Sequence, residues 1–178
     1  MTIFIIVGIP ASGKNCARDY AKAKGYPYFA TGDIVRMEVA KRGYEANAEN
    51  TGKVSTEMRG GDGLGITRQA LVTALSQDSP VVFLEGMRSW QEIMLIREKA
   101  DAQVIAFLAP RRLRLSRIMS RGRADDSADT FDARDMREIE YGTTIPIALA
   151  DSYVINTGSI NDAIQGLDNI VRESLTGK

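Results

Sequence analysis

The sequence of 178 residues contains no histidine and only one cysteine, Cys16. The absence of histidine excludes a histidine acid, base or nucleophile, and it excludes zinc sites with histidine ligands. A single cysteine excludes an internal disulfide and fits a reducing compartment, so we expect a cytoplasmic protein. Lysine and arginine total 23, as do aspartate and glutamate. The resulting zero net charge gives no general attraction to nucleic acid or to a membrane surface.

Long hydrophobic runs are also missing. The apolar segment from Met1 to Val7 has no basic residues before it and is too short for a signal peptide or a membrane span. The chain length and the hydrophobic content of 44% suit one α/β domain over residues 1–178. We therefore expect small molecules as partners, with no nucleic acid and no membrane.

The most specific signal lies near the amino terminus. The β-branched and aromatic run Ile3–Val7 predicts a strand buried on both faces, and a helical pattern begins near Lys14. Between them, Gly8, Gly13 and Lys14 have the spacing G-x-x-x-x-G-K of a phosphate-binding P-loop. A glycine-rich turn lets backbone N–H groups point at a phosphate, and the following helix adds its positive end. Lys14 is then expected to contact the outer phosphates.

Two residues after this lysine bear on the chemistry. Asn15 stands where a serine or threonine usually holds Mg²⁺, which weakens direct metal coordination but leaves the anion site intact. Cys16 lies just inside the predicted helix. Its thiol is either acidified there or is a small buried filler, and the second interpretation is favoured.

Further strands and helices alternate along the chain. Short apolar runs predict strands at 28–30, 81–84, 104–108 and 153–155, each followed by a helical pattern. This alternation predicts a parallel sheet of five strands, covered on both faces, with ligands at the carboxyl ends of the strands. Gly60–Gly63 is the predicted hinge. The polar stretch Gly122–Thr130 predicts a mobile loop, and Phe131–Leu149 should be mostly helical.

Carboxylates and arginines follow the predicted strands. Glu85 closes a hydrophobic strand as a Walker B carboxylate does, and Asp33 follows another strand, so both are candidates to hold Mg²⁺ through water. A helix N-cap would explain Asp33 almost as well. Arg36 and Arg88 leave strand ends on the P-loop side, and the arginine fork suits phosphate. A further group surrounds the polar loop: Arg114, Arg117 and Arg121 on one helix face, with Arg123, Arg134 and Arg137 beyond. A solvated charged face explains any single member of this group, whereas the whole set favours phosphate binding.

Five segments resemble, in order and spacing, the motifs of adenylate kinases: Gly8–Asn15, Thr31–Arg36, Thr51–Val54, Leu84–Arg88 and Arg117–Arg121. The tail 150–159 is more similar to dephospho-coenzyme A kinases. The mixture resembles an archaeal-type group of adenylate-kinase-related P-loop proteins of unsettled function. This resemblance implies a P-loop NTPase with a nucleotide-kinase-like three-layer α/β/α fold. It also implies a monophosphate-binding helical segment at about 31–77 and a short lid at about 122–130.

The resemblance also implies a set of site residues and a cofactor, Mg²⁺ with ATP. ATP would be bound by Gly8, Ala11, Ser12, Gly13, Lys14, Asn15, Cys16, Arg117, Arg121 and Gly158. The acceptor would be bound by Thr31, Gly32, Arg36, Lys53, Val54, Gly86 and Arg88. Catalytic charge neutralisation would fall to Lys14, Arg88, Arg121, Arg134 and Arg137.

The acceptor remains open at this point. AMP is the leading candidate for phosphoryl transfer, and dephospho-coenzyme A is the runner-up. A nucleotide-sensing module that binds AMP and ATP with little turnover, or a slow ATPase that acts as a partner's switch, would use the same residues.

Overall fold

The computed structural model describes residues 1–122 and 126–177. Its strands are β1 (Thr2–Val7), β2 (Tyr28–Ala30), β3 (Val81–Glu85), β4 (Asp101–Leu108) and β5 (Ser152–Ile155). They form one parallel sheet in the order β2-β3-β1-β4-β5. The predicted five-stranded parallel sheet is thereby confirmed.

The helices lie between the strands along the chain. They are α1 (Asn15–Lys24), α2 (Thr31–Lys41), α3 (Ala48–Arg59), α4 (Gly65–Leu75), α5 (Trp90–Arg97), α6 (Arg111–Arg121), α7 (Ala128–Glu140), α8 (Thr144–Ala148) and α9 (Ile160–Thr176). None of the helices in the described part of the chain is long and apolar enough to span a membrane.

The sheet is buried on both faces because alternate residues of β1 enter two different cores. Phe4 and Ile6 pack in a core formed with α1 and α9, whereas Ile3 and Ile5 pack in a core formed with α4 and α5. All six residues of β1 are buried, as the continuous hydrophobic run predicts. A third, smaller core joins α2, α3 and α4 around Val54, which is fully buried. Helices on both sheet faces give the three-layer arrangement.

The register brings the carboxyl ends of the strands to one edge. Ile6 and Ala30 both lie beside Glu85, Val7 lies beside Ala106, and β5 ends beside Leu108. The loops that leave these ends therefore meet above one edge of the sheet, where ligands bind in open α/β folds.

Local capping signals explain where several helices begin. The Asn47 side chain accepts a hydrogen bond from the backbone N–H of Asn50, and Ser89 forms a capping box with Glu92. Both helix starts therefore follow from side chains that are local in the sequence. The alternative of an N-cap at Asp33 is wrong, because α2 already begins at Thr31 and Asp33 lies in its first turn.

The region predicted as a lid differs from the expectation. Residues 123–125 of the predicted loop 122–130 lie outside the described residues. Gly122 ends α6, and α7 begins at Ala128 rather than at Phe131. The earlier start follows from Ser127, which forms a capping box with Thr130 and so draws the last three residues of the predicted loop into the helix.

Candidate phosphate-binding site

The loop between β1 and α1 has the tight conformation that its glycines predict. Gly13 has φ +90°, and a Cβ atom there would lie 1.8 Å from the side-chain nitrogen of Asn156. Only glycine therefore fits beside Asn156. Ala11 is left-handed at φ 59°, which is uncommon for a residue with a side chain. The loop is held in this shape by contacts from elsewhere in the chain.

Those contacts come from α6 and from the end of β5. The Arg117 guanidinium donates to the carbonyl oxygen of Ala11 at 3.2 Å and to that of Asn156 at 3.0 Å. The Asn156 amide in turn donates to the carbonyl oxygen of Ser12 at 2.9 Å. The carbonyl groups of Ala11 and Ser12 are thus hydrogen-bonded by Arg117 and Asn156, whereas the Ser12 N–H donates within the loop to the carbonyl oxygen of Ile9 at 3.2 Å. Arg117, predicted to bind ATP, braces the P-loop in this structure.

Arg114 supports the same loop from one turn earlier on α6. Its guanidinium forms two hydrogen bonds with the Asp135 carboxylate, at 2.7 and 2.6 Å, and a third with the carbonyl oxygen of Pro10 at 3.1 Å. The side chain is only 4% exposed and lies against the ring of Phe131. This arginine is structural, so the predicted basic face of α6 points at the protein interior as well as at the ligand side.

The start of α1 offers an anion site without competing groups. The first turn carries no acidic residue and no side-chain cap. The N–H groups of Cys16 and Ala17 donate to the carbonyl oxygens of Gly13 and Lys14 at 3.1 and 3.0 Å, so an anion would be bound by the N–H groups that precede them. The Lys14 ammonium forms no hydrogen bond or ion pair within residues 1–122 and 126–177. Since a half-buried lysine without a partner is unusual, this arrangement suits the phosphate role predicted for Lys14.

Cys16 lies on the inner side of α1, with 7% of its surface exposed. Burial, with a smaller contribution from Asp19, raises the pKa of its thiol to about 11. The thiol is therefore protonated at neutral pH, which supports the buried-filler interpretation over an acidified cysteine.

A cleft of about 1500 Å³ opens above the carboxyl ends of β1, β2 and β3. Ten of the predicted site residues line it: Gly8, Lys14, Asn15, Thr31, Gly32, Arg36, Glu85, Gly86, Arg88 and Arg137. Part of the predicted P-loop and five of the seven predicted acceptor residues therefore share one cavity.

Gly86 brings two of these segments into contact. It has φ +101°, and a Cβ atom there would lie 2.1 Å from the Thr31 hydroxyl oxygen. The Thr31 hydroxyl donates to the Gly86 carbonyl oxygen at 3.3 Å. The close approach of β2 and β3 at their ends therefore requires glycine at position 86.

The two predicted metal carboxylates meet around one arginine. Arg18 donates to Asp33 at 2.8 Å, and the same guanidinium nitrogen lies 3.9 Å from a Glu85 oxygen. That Glu85 oxygen accepts a hydrogen bond from the Tyr28 hydroxyl at 2.8 Å. Burial and the neighbouring carboxylate raise the pKa of Tyr28 far above its ordinary value, so this hydroxyl remains a donor.

Asp33 also accepts a hydrogen bond from Arg36. Partial burial opposes ionisation of Asp33, but the hydrogen bonds from Arg36 and Arg18 outweigh it and lower the pKa of the carboxyl. The described residues hold no group of three or more acidic, histidine or cysteine side chains that would bind a metal by themselves. Two carboxylates on either side of one cation nevertheless fit a Mg²⁺ ion that keeps much of its water shell and binds nucleotide phosphates.

The two predicted acceptor arginines already have carboxylate partners. Arg36 pairs with Asp33, whereas Arg88 pairs with Glu138 of α7 at 3.1 Å and lies 5.0 Å from the centre of the Tyr141 ring. Arg88 therefore connects the acceptor side of the cleft to the helix that follows the predicted lid.

The lid arginines form a cluster of their own. Arg121 binds Asp126 through two hydrogen bonds, at 3.0 and 2.6 Å, and Arg134 reaches the same carboxylate at 3.1 Å. Asp126, in the described part of the predicted lid, thus joins the two arginines.

Several predicted site residues lie elsewhere. Lys53 extends over the Tyr44 ring, and Val54 is buried in the core of α2, α3 and α4. The residues of α3 that line the cleft are instead Ala48, Thr51, Gly52, Ser55, Thr56 and Arg59. Gly158 lies just before α9, and a Cβ atom added at Gly158 would lie 2.6 Å from an oxygen of the Asp162 carboxylate. The remaining predicted residues outside the cleft lining are Ala11, Ser12, Gly13, Cys16, Asp33, Arg117, Arg121 and Arg134.

Sequence reasoning missed four residues that the geometry emphasises: Arg18, Tyr28, Arg59 and Glu138. One signal was present, because Arg18 lies four residues after Lys14 and therefore on the same face of α1. Glu138 and Tyr28 carry no comparable signal, since their partners are distant in sequence.

Three solved structures share this fold over nearly the whole chain. The structure of TT1252 from Thermus thermophilus has a TM-score of 0.66 at 19% identity and covers 97% of both chains. Shikimate kinase from Aquifex aeolicus has a TM-score of 0.63 at 11% identity and covers 100% of both chains. A gluconokinase from Sinorhizobium meliloti has a TM-score of 0.60 at 12% identity, with 99% of this chain and 97% of the other covered. At these identities the likeness establishes the fold alone, which is that of P-loop kinases.

Sequence relatives identify the group more closely. A UPF0200 protein of Methanocaldococcus jannaschii is 35% identical over 180 residues, which cover 98% of this chain and 91% of the relative. A UPF0200 protein of Thermococcus gammatolerans is 34% identical over 183 residues, which cover 98% and 96%. The chain belongs to the UPF0200 proteins and, through a match over residues 7–132, to the AAA domain family. The resemblance to an archaeal-type group of P-loop proteins is thereby confirmed.

Proposed function

We propose that the protein is an ATP-dependent phosphotransferase that passes the γ-phosphoryl group of ATP to a nucleoside monophosphate, with AMP as the leading acceptor. The observation that carries the proposal is the shared cleft, in which Lys14 and the P-loop face the same cavity as Arg36 and Arg88. Sites for one small ligand typically measure roughly 300–1,000 Å³. A cavity of about 1500 Å³ therefore has room for a donor and an acceptor together.

The reaction needs alignment and charge neutralisation more than covalent help from the protein. An oxygen of the acceptor phosphate attacks the γ-phosphorus, the bond from that phosphorus to the β–γ bridging oxygen breaks, and ADP leaves. The amides at the start of α1 and the Lys14 ammonium bind the ATP phosphates. The guanidinium groups of Arg36 and Arg88 bind the acceptor phosphate through paired hydrogen bonds.

Two further groups complete the proposed site. Asp33 and Glu85 would hold Mg²⁺ through water, and the metal would supply charge neutralisation for the ATP phosphates. Arg121, Arg134 and Arg137 would cover the transferring group when the predicted lid closes. Closure requires Arg121 and Arg134 to exchange the Asp126 carboxylate for phosphate oxygens.

The test is a coupled assay of ATP consumption against a panel of acceptors, with an acceptor-free control. The panel holds nucleoside monophosphates, dephospho-coenzyme A, shikimate and gluconate. AMP-dependent formation of two ADP per ATP consumed supports the proposal. Turnover with dephospho-coenzyme A instead would favour the runner-up enzyme, and equal ATP loss without acceptor would favour a slow ATPase.

Calorimetry tests the remaining alternative, in which the protein binds nucleotides without turnover. Binding of ATP and AMP to distinct sites with no ADP formed would favour a nucleotide-sensing module. AMP that competes with ATP for one site would contradict a separate acceptor pocket.

A further inference from the structure

One arginine of the cleft has a position that the proposed reaction does not use. Arg18 lies one turn beyond Lys14 on α1, and its guanidinium is bounded on three sides. Asp33 accepts its hydrogen bond at 2.8 Å, a Glu85 oxygen lies at 3.9 Å, and the Tyr28 ring centre lies 5.2 Å from the guanidinium carbon. The arginine thus occupies a small cation site with two carboxylates and an aromatic face.

The carboxylates of this site are the pair that would hold Mg²⁺. Glu85 is fixed in place by the Tyr28 hydroxyl, and its side chain is only 14% exposed. Asp33 is 40% exposed and is shared with Arg36. A guanidinium and a hydrated Mg²⁺ ion both satisfy carboxylate oxygens, but they cannot fill the same space between them.

The exposure of Arg18 indicates that it can leave this position. Its side chain is 47% exposed and is held by one short hydrogen bond and one longer ion pair. Partly exposed ion pairs of this kind contribute little to stability. A divalent cation that is bound with nucleotide phosphates interacts more strongly with the two carboxylates than one guanidinium does, because it carries twice the charge.

We propose that Arg18 and Mg²⁺ are alternative cations for the Asp33–Glu85 pair. Without metal, Arg18 lies between the two carboxylates and, together with Arg36 at Asp33, balances their charge. When the metal arrives with ATP, Arg18 is released into the cleft. Arg18 is therefore a positioning residue that weakens the binding of divalent metal in the absence of nucleotide. The inference rests on the proposed function only in taking Mg²⁺ with ATP as the physiological ligand.

The experiment measures Mn²⁺ binding to the full chain without nucleotide, by electron paramagnetic resonance of the free ion. Arg18→Met keeps a long apolar stem against Tyr28 and removes the charge. We expect this variant to bind Mn²⁺ about three- to tenfold more tightly than the unmodified chain, because it lacks the nearby positive charge that repels the metal. Arg18→Lys, which keeps a cation, should stay close to the unmodified chain.

The chain provides a matched control at Arg42. Arg42 bridges Glu38 and Glu57 in the same manner, but neither it nor its partners line the cleft. Arg42→Met makes the same change in net charge and should not tighten Mn²⁺ binding. An equal gain in both variants, or no gain in Arg18→Met, would overturn the proposal.

A double variant identifies where the metal binds. Adding Glu85→Gln to Arg18→Met should abolish the gain in Mn²⁺ affinity, whereas a gain that persists would overturn the proposal. These measurements need no turnover, so their outcome is independent of the acceptor assay. If the variants show the expected Mn²⁺ affinities but the protein forms no ADP in the acceptor assay, only the proposed function is refuted.

Discussion

The guanidinium of Arg88 lies 3.1 Å from the carboxylate of Glu138, although the two residues are on different elements. Glu138 also accepts a hydrogen bond from the Thr143 hydroxyl at 3.1 Å, so its position is fixed. The Glu138 carboxylate is therefore paired with the same arginine that the proposed function assigns to the acceptor phosphate. Under the proposed function, an acceptor phosphate would compete with this ion pair, which would link the acceptor side of the cleft to α7.

This relationship gives the first prediction. Glu138→Gln should tighten AMP binding up to about fivefold, since a partly exposed ion pair is worth roughly 0.2–1 kcal/mol. ATP affinity should change little. Titration calorimetry with each nucleotide measures both effects. Glu140→Gln, an exposed neighbour on the same helix, removes the same charge and should leave AMP affinity unchanged. Equal effects of the two variants would mean that only net charge matters.

Removal of the Arg88 side chain tests the same site from the opposite direction. Arg88→Ala should weaken AMP binding far more than ATP binding, because a charge-assisted hydrogen bond contributes about 1.5–3 kcal/mol to one ligand only. Competition titrations with both nucleotides provide the measurement. If affinity for AMP and ATP falls to the same extent, Arg88 does not belong to a separate acceptor pocket.

Lys14 tests the phosphate site itself. Lys14→Ala should weaken ATP binding by about 1.5–3 kcal/mol while the melting temperature stays the same, because its ammonium has no partner within residues 1–122 and 126–177. Lys22→Ala, an exposed position on the same helix, is the control. Unchanged ATP affinity in Lys14→Ala, measured by calorimetry, would contradict the P-loop assignment.

Unlike Lys14, Arg114 should contribute to the stability of the fold. Arg114→Met leaves the Asp135 carboxylate without its two hydrogen bonds in a largely buried position. Breaking a buried ion pair in this manner typically lowers the free energy of unfolding by about 3–5 kcal/mol. Urea unfolding followed by circular dichroism is the measurement. The same substitution at an exposed neighbour, Arg112→Met, should change the free energy of unfolding by less than about 0.5 kcal/mol. A loss of similar size in both would contradict the structural role of Arg114.

Cys16 predicts a pH dependence. Because its pKa in the folded protein is raised from 9.0 to about 11, the stability that this thiol contributes is fully present below about pH 9. It is lost as the pH rises through about 11. At pH 9.5, iodoacetamide should alkylate the folded protein at least about tenfold more slowly than the urea-unfolded chain, since the thiolate reacts. Equal rates would show that the thiol is exposed and acidic.

Patterns that are local in sequence predicted their structures well. The run before Gly8 predicts β1, and the spacing to Lys14 predicts the turn and helix that follow it. The caps at Asn47 and Ser89 depend on residues within three positions, which sequence reasoning can see. The sequence pattern places the start of α7 too late, because Ser127 lies in a polar stretch and is marked as a helix start only by its hydrogen bonds with Thr130.

Contacts between distant elements could not be predicted in the same way. The approach of Arg18, Tyr28 and Glu85 depends on the strand order, which places Ala30 beside Glu85. Alternation of strands and helices predicts a parallel sheet but not its order. Similarly, the arginines of α6 were correctly placed on one face, yet only the packing of α7 decides that Arg114 is buried.

The hydrogen bond from Asn156 to Ser12 spans 144 positions of the chain. The loop near the amino terminus therefore reaches its final shape only after the last strand has joined the sheet. During synthesis, a growing chain that ends before β5 would lack the amide that fills the space beside Gly13. We expect nucleotide capture to begin late in translation, and photocrosslinking of an ATP analogue to arrested chains of increasing length would test this. Capture by chains that end before position 156 would show that the loop forms independently.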